Sequence, residues 1–154
     1  MHNQNSFSTY GSPKSIQLEN AFNQLILTYG PYDIFFHASF RTSTWQNTAV
    51  KRFKYFFKHL NTKEFKFFEK YIKAFLLIEN NPSCDGVHMH AFINGISAEY
   101  ADLLQEKSDA FFGKSKVEPY DSEKNGTHYL GWKYLTDYKI ADYDLYKINA
   151  RLRK

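Results

Sequence analysis

Residues 71–93 read YIKAFLLIENNPSCDGVHMHAFI, two apolar runs around a polar break. Asn80-Asn81-Pro82-Ser83 is turn chemistry: Asn and Ser side chains bond nearby backbone, and Pro presets φ. The spacing predicts strands over Tyr71–Glu79 and Val87–Ile93, joined as an antiparallel hairpin across residues 80–86. Successive side chains of a strand point to opposite faces. Val87, Met89, Ala91 and Ile93 therefore make a core face, and His88 and His90 share the other, more open one. Two imidazoles at i and i+2 can chelate one metal ion. Glu79 closes the otherwise apolar run Ala74–Ile78. Either the strand ends there in solvent or it aims the carboxylate at a partner, and the hairpin puts Glu79 beside the start of the histidine strand. Two His and one Glu make a three-ligand set with open positions. Such a mixed N/O set suits Mn²⁺ or Mg²⁺ carrying a phosphate better than a closed structural zinc.

Upstream, Ile16–Tyr29 carries apolar positions 18, 22, 25, 26 and 29, a helical spacing ended by Gly30-Pro31. Asp33–Phe40 is a short apolar run, the first strand of the core. His37 within it can reach the His88/His90 face and is read as a partly buried strand histidine. Thr44 is a candidate N-cap for a helix whose inward face is Trp45, Ala49, Phe53, Phe56, Phe57 and Leu60. Residues 61–70 are ambiguous, with a second helical piece as one reading. Downstream, Ser97 caps a helix through Phe112, and Gly113 is its stop. Lys116–Tyr120 is a short fourth strand, and Gly126–Tyr138 a last helix. The order β-α-β-β-α-β is the split pattern of the ferredoxin-like (RRM-like) α+β fold, an antiparallel sheet with helices on one face. An N-terminal helix and a C-terminal helix are added to it.

Composition bounds the function. The chain has 154 residues, 43% hydrophobic and 19% aromatic, which excludes a disordered polar chain. Residues 1–14 are polar and read as a flexible arm, and 15–154 as a single domain. One cysteine excludes an internal disulfide framework and a multi-Cys zinc site. The start has no apolar h-region, and no run approaches the length of a membrane span. A cytoplasmic protein is expected. The formal net charge is +4. It is uneven: Lys51–Lys73 holds eight basic and two acidic residues. These basics alternate with Phe and Tyr. That pattern fits either a nucleic-acid surface or a solvated lysine face over a phenylalanine core. Lys51, Arg52, Lys54 and Lys58 are the candidate DNA contacts.

In the last predicted helix, Tyr129 and Lys133 stand at i and i+4 and share a face. A phenol is a weak nucleophile at its free pKa of about 10, and a metal or a lysine helps to form the oxyanion. Tyr134 and Tyr138 form a second such pair. With twelve tyrosines in the chain, plain aromatic packing is the simplest reading of any one of them.

Three stretches fall in a telling order: Ile34–Phe40; Leu77-Ile-Glu79 with Gly86–Ile93; and Val117–Asp121 with Tyr129–Tyr134. Together they resemble the HUH endonucleases, specifically rolling-circle replication initiators of plasmids or viruses. The resemblance covers roughly residues 33 to 138. It implies a divalent metal, Mn²⁺ or Mg²⁺, on His88, His90 and Glu79, polarising a scissile phosphate of single-stranded DNA. It implies a catalytic tyrosine that leaves a 5′-phosphotyrosine and a free 3′-OH, so that the same site can rejoin strands. Tyr129 is the first candidate nucleophile and Lys133 its phosphate partner. The family spaces these as Y-x-x-K, whereas this chain has Y-x-x-x-K, with Trp132 in the lysine slot. Tyr134 is the alternative, roughly 140° away around a helix.

The implied partner is single-stranded DNA at a replication origin. Gly113-Lys114-Ser115 lacks the upstream glycine of a phosphate loop, so a separate helicase is expected, with no small-molecule cofactor and no membrane. Two other readings share the residues: a single-tyrosine transposase of the same superfamily, and a non-catalytic nucleic-acid-binding module on the same sheet.

Overall fold

The computed structural model describes residues 30–60, 63–65, 71–123 and 140–149, and positions 17, 20, 21, 24, 27 and 28, all six helical. Its strands are β1 (Ile34–Phe40), β2 (Tyr71–Asn80), β3 (Val87–Asn94), β4 (Gly113–Pro119) and β5 (Ile140–Asn149). The helices described from end to end are α1 (Gln46–Lys58) and α2 (Ala101–Phe112), the latter entered through a 3-10 turn at Ala98–Tyr100. The strands form one sheet in the order β4-β1-β3-β2-β5. Every neighbouring pair is antiparallel. This α+β arrangement is compatible with the ferredoxin-like expectation. It also adds β5, which the sequence reading did not contain. Asp142 and Asp144 interrupt that stretch, and Asp is depleted in strands, so its signal is weak.

Alternation gives the sheet two different faces. Ile34, Phe36 and Ala38 of β1, Leu76 and Ile78 of β2, and Met89, Ala91 and Ile93 of β3 pack with Ala49, Phe53, Phe56 and Phe57 of α1 and Leu104 and Phe112 of α2. The 3.6-residue period places those α1 positions on one stripe. Phe36 sits at the centre, with the rings of Phe53, Phe57 and Phe112 edge-on at centroid distances of 5.9, 5.5 and 5.7 Å. Edge-to-face pairs of this kind add about 0.5–1.5 kcal/mol each beyond area burial. On the opposite face, Phe75, Leu77 and Phe92 are also fully buried, beside Tyr32 and Phe35. Among the described residues, no helix is long and apolar enough to cross a membrane.

Two local expectations are corrected. Thr44 does not cap α1; the cap position is Trp45, in extended conformation and with no side-chain cap bond. The Thr44 hydroxyl instead donates to the Thr42 carbonyl at 3.0 Å. Because Trp45 precedes the helix, its side chain leaves the helical stripe and is 67% exposed. β4 also begins three residues earlier than expected, directly at Gly113, because α2 feeds it without a loop.

A part-buried polar network ties α2 to β4. Gln105 Nε2 donates to the Ser115 carbonyl (2.9 Å), and the Val117 amide donates to Gln105 Oε1 (2.7 Å). Asp109 Oδ1 accepts from the Ser115 amide (2.7 Å) and the Ser115 hydroxyl (2.8 Å). The Ser108 and Ser115 hydroxyls meet each other. The side-chain bonds from Gln105 and Ser115, with the Ser115 amide, outweigh desolvation and hold the Asp109 carboxyl below its usual range.

The β2–β3 hairpin is clamped at its loop. The Asn81 amide donates to the Gly86 carbonyl (3.0 Å), and the Val87 amide to the Thr44 carbonyl (2.9 Å). Gly86 has φ +96°, and a Cβ there would meet the Thr44 backbone N at 2.9 Å and O at 3.0 Å. Only glycine suits both the φ and the contact. Gly86→Ala is expected to destabilise the fold by about 1–3 kcal/mol, read from urea melts. An unchanged midpoint would contradict the clamp.

Candidate metal centre

The hairpin register sets Glu79 opposite His88 and Leu77 opposite His90. On the other side of β3, His37 of β1 pairs with His90. Pairing in register keeps side chains on one face. Glu79, His88, His90 and His37 therefore converge on the face opposite the helices. One ring nitrogen from each of His37, His88 and His90 lies within 4.8 Å of the others. The His37 and His90 rings are 4.6 Å apart at their centroids, and His88 stands 5.5 Å from His37 and 5.2 Å from His90. His88 and His90 are 14% and 16% exposed and Glu79 is 7% exposed, so the site is shielded yet open on one side.

Hydrogen-bond accounting constrains the protons. Asn81 Nδ2 donates to the Asp85 carbonyl at 3.3 Å, which turns Asn81 Oδ1 toward His88 Nδ1 at 2.9 Å. His88 Nδ1 is then the N–H, and its Nε2 faces Glu79 Oε2 at 3.0 Å. The same carboxylate oxygen is 3.4 Å from His90 Nε2. A neutral imidazole carries one N–H, and an ionised carboxylate only accepts. The His88–Glu79 contact thus needs a second proton, on the ring or on the carboxyl, or a cation in its place. Glu79 is the only buried charged residue among those described. Burying a carboxylate is costly unless it is paired, which argues that the pairing is the reason for its position.

His37 supplies the lone pair the sequence reading did not commit to. Burial, then His90 and His88, with a smaller contribution from Lys116, lower its pKa to about 3 against the opposing pull of Glu79. A neutral imidazole is the form that binds metal. With His37 included, three imidazole nitrogens lie together, and the Glu79 carboxylate stands against those of His88 and His90. A nitrogen-rich set of this kind suits a first-row transition ion better than Mg²⁺, which prefers oxygen. The signal for His37 was available: it alternates with the core positions Ile34, Phe36 and Ala38. The sequence marks Asn81 as a turn residue, and its side-chain bond to His88 depends on the loop geometry.

The remaining candidates divide. Tyr129, Lys133 and Tyr134 lie outside the described residues. Lys51, Arg52, Lys54 and Lys58 belong to α1, which packs on the other face of the sheet from the histidines. Arg52 is committed to the fold: its Nη2 donates to the Phe111 carbonyl at 2.8 Å, and its guanidinium lies 5.1 Å over Phe40. The Lys54 ammonium sits 4.0 Å over the Tyr146 ring. Lys51 and Lys58 are exposed. Phe53, Phe56, Phe57 and Phe65 are core, so those rings of the basic segment cannot stack on bases.

Compared with known proteins, the chain matches no family model, no curated protein and no solved structure.

Two measurements follow from this geometry. Mn²⁺ at about 100 times its Kd should stabilise the protein by about 2.7 kcal/mol. His88→Ala and His90→Ala should abolish that gain, and Asn81→Ala should weaken binding by about 10–100-fold through loss of ring orientation. Equal stabilisation of all variants would disprove the centre. In metal-free buffer, His37 titrates near 6.5 when unfolded and near 3 when folded. Between those values the unfolded chain binds more protons, so stability falls as pH drops from about 6.5 toward 3. Urea melts across that window should show a flatter profile for His37→Gln.

Proposed function

We propose that the protein is a metal-dependent enzyme of the HUH type that nicks and rejoins single-stranded DNA to initiate rolling-circle-type replication, built on a ferredoxin-like core. The observation that carries this reading is the convergence of His88, His90, His37 and Glu79 on one sheet face, with His88 and His90 partly exposed there. The strand order and the packing of the two fully described helices on the other face are compatible with it.

The donor chemistry of the four residues fits a divalent ion. Bound there, the ion would act as a Lewis acid on a phosphodiester oxygen. The chain's own groups do the rest. Asn81 holds His88 in the tautomer whose Nε2 lone pair faces the centre. Glu79 supplies negative charge at low exposure, where electrostatic effects are stronger than in water. Phe35, its ring 6.0 Å from that of His90, and the buried Leu77 form an apolar wall beside the cluster. In the proposed step the phenolic oxygen of Tyr129, or alternatively Tyr134, attacks phosphorus. The Oη–P bond forms, the P–O3′ bond breaks, the phenol proton is lost, and the 3′ oxygen takes a proton. Lys133 offsets the charge of the phosphate. Because one phosphodiester replaces another, the reverse attack by a 3′-OH restores the strand.

Incubation of the protein with Mn²⁺ and pooled labelled single-stranded oligonucleotides, which include candidate origins, tests the reading on denaturing gels. The expected result is a covalent protein–DNA band, absent in His90→Ala and in one of Tyr129→Phe and Tyr134→Phe. Tight DNA binding with no band under any divalent metal would replace the enzyme with a binding module.

A further inference from the structure

The edge strand beside the histidine cluster carries a second feature of that face. Lys116 of β4 pairs with His37 of β1. His37 pairs with His90, and His90 with Leu77. The row Lys116–His37–His90–Leu77 thus crosses four strands on one face. Neighbouring strands are about 4.8 Å apart, so the Lys116 backbone is about 10 Å from that of His90. A four-carbon stem covers more than half that span. The Lys116 side chain is 58% exposed. It is near enough to act electrostatically on His37. Lys114, two residues earlier, shares its face by alternation and is also exposed.

We propose that Lys116 and Lys114 form a phosphate-binding track along β4, over which the backbone of the single-stranded substrate runs as it enters the histidine centre. This rests on the nicking reading and assigns the substrate's path to the edge strand rather than to α1. Two cations on successive outward positions suit a polyanion better than a single small anion. The lysines stand on a firm base, because the inner side of β4 pairs with β1 and its outer backbone is held by Gln105 and Asp109. Lys116 also meets Glu118 at 3.0 Å. Lys116 is the exposed member of that pair, 58% against 20% for Glu118, so its ammonium can turn to an incoming phosphate. The basics of α1, by contrast, lie behind the sheet and cannot contact a phosphate seated at the histidines.

The test measures affinity for a fluorescein-labelled oligothymidylate by anisotropy, with Mn²⁺ present, across a series of KCl concentrations. Each lost phosphate contact lowers the slope of log K against log salt by about 0.7 for a single strand. Lys114→Ala/Lys116→Ala should therefore lower the slope by about 1.4 and weaken binding about 10-fold near physiological salt. Lys116→Arg should restore its share. Lys51→Ala/Lys58→Ala should leave both quantities unchanged. Mn²⁺ binding without DNA, followed by EPR, should persist in the β4 variants, which separates the track from the centre and reports intact folding. Wild-type affinity and slope in the β4 double variant would overturn the track, as would an equal loss in the α1 variant. The covalent band is scored in parallel. Its presence with an unchanged slope would reject the track and keep the nicking reading. Its absence from every sample with the slope lowered would reject nicking and keep the track.

Discussion

The register of the β2–β3 hairpin is the constraint on which the rest depends. In a strand, a slip of one residue exchanges the two faces. Glu79 opposite His88 puts Met89, Ala91 and Ile93 into the helix-side core and both histidines outside it. The same slip that would expose those core residues would also bury two imidazoles among phenylalanines. Core and centre are thus specified by one alignment, and the clamp of Gly86 against Thr44 reinforces it at the loop. The packing that stabilises the sheet also holds the donors in position.

The parts of this arrangement that follow from local pattern were legible. Strict alternation in Val87–Ile93 separates ligands from core, and the turn residues at 80–83 join the two strands. The Phe stripe of α1 was equally plain, and its outcome is instructive. The basic, aromatic segment reads equally well as a binding surface or as a lysine coat over a core, since both produce the same alternation. Only the sheet decides between them, by taking Phe53, Phe56 and Phe57 into the interior. β5 was missed because its aspartates suit neither a core strand nor a regular helix, and its pairing to β2 is a long-range fact. Asn81 and Lys116 were invisible for a related reason. Their significance lies in what stands across a loop or a neighbouring strand, which spacing along the chain does not encode.

The electrostatics of the centre are set by arrangement more than by composition. Three histidines close together would repel one another if all were charged. Burial keeps His37 neutral, and the single carboxylate oxygen of Glu79 faces both His88 and His90. A neutral His37 and the buried Glu79 carboxylate leave a local excess of acceptor capacity in a shielded place. The formal net charge of the chain does not report this local arrangement.

The network joining α2 to β4 also shapes how the molecule can associate. A sheet edge usually offers a row of unused amides and carbonyls to any extended chain, and proteins guard against this in several ways. Here the guard is internal. The Ser115 amide and carbonyl and the Val117 amide are already taken by Asp109 and Gln105. A second molecule could not add a strand at this edge without first pulling those side chains away. The margin nearest the histidines is therefore closed to backbone-to-backbone growth, and contacts there fall to side chains alone.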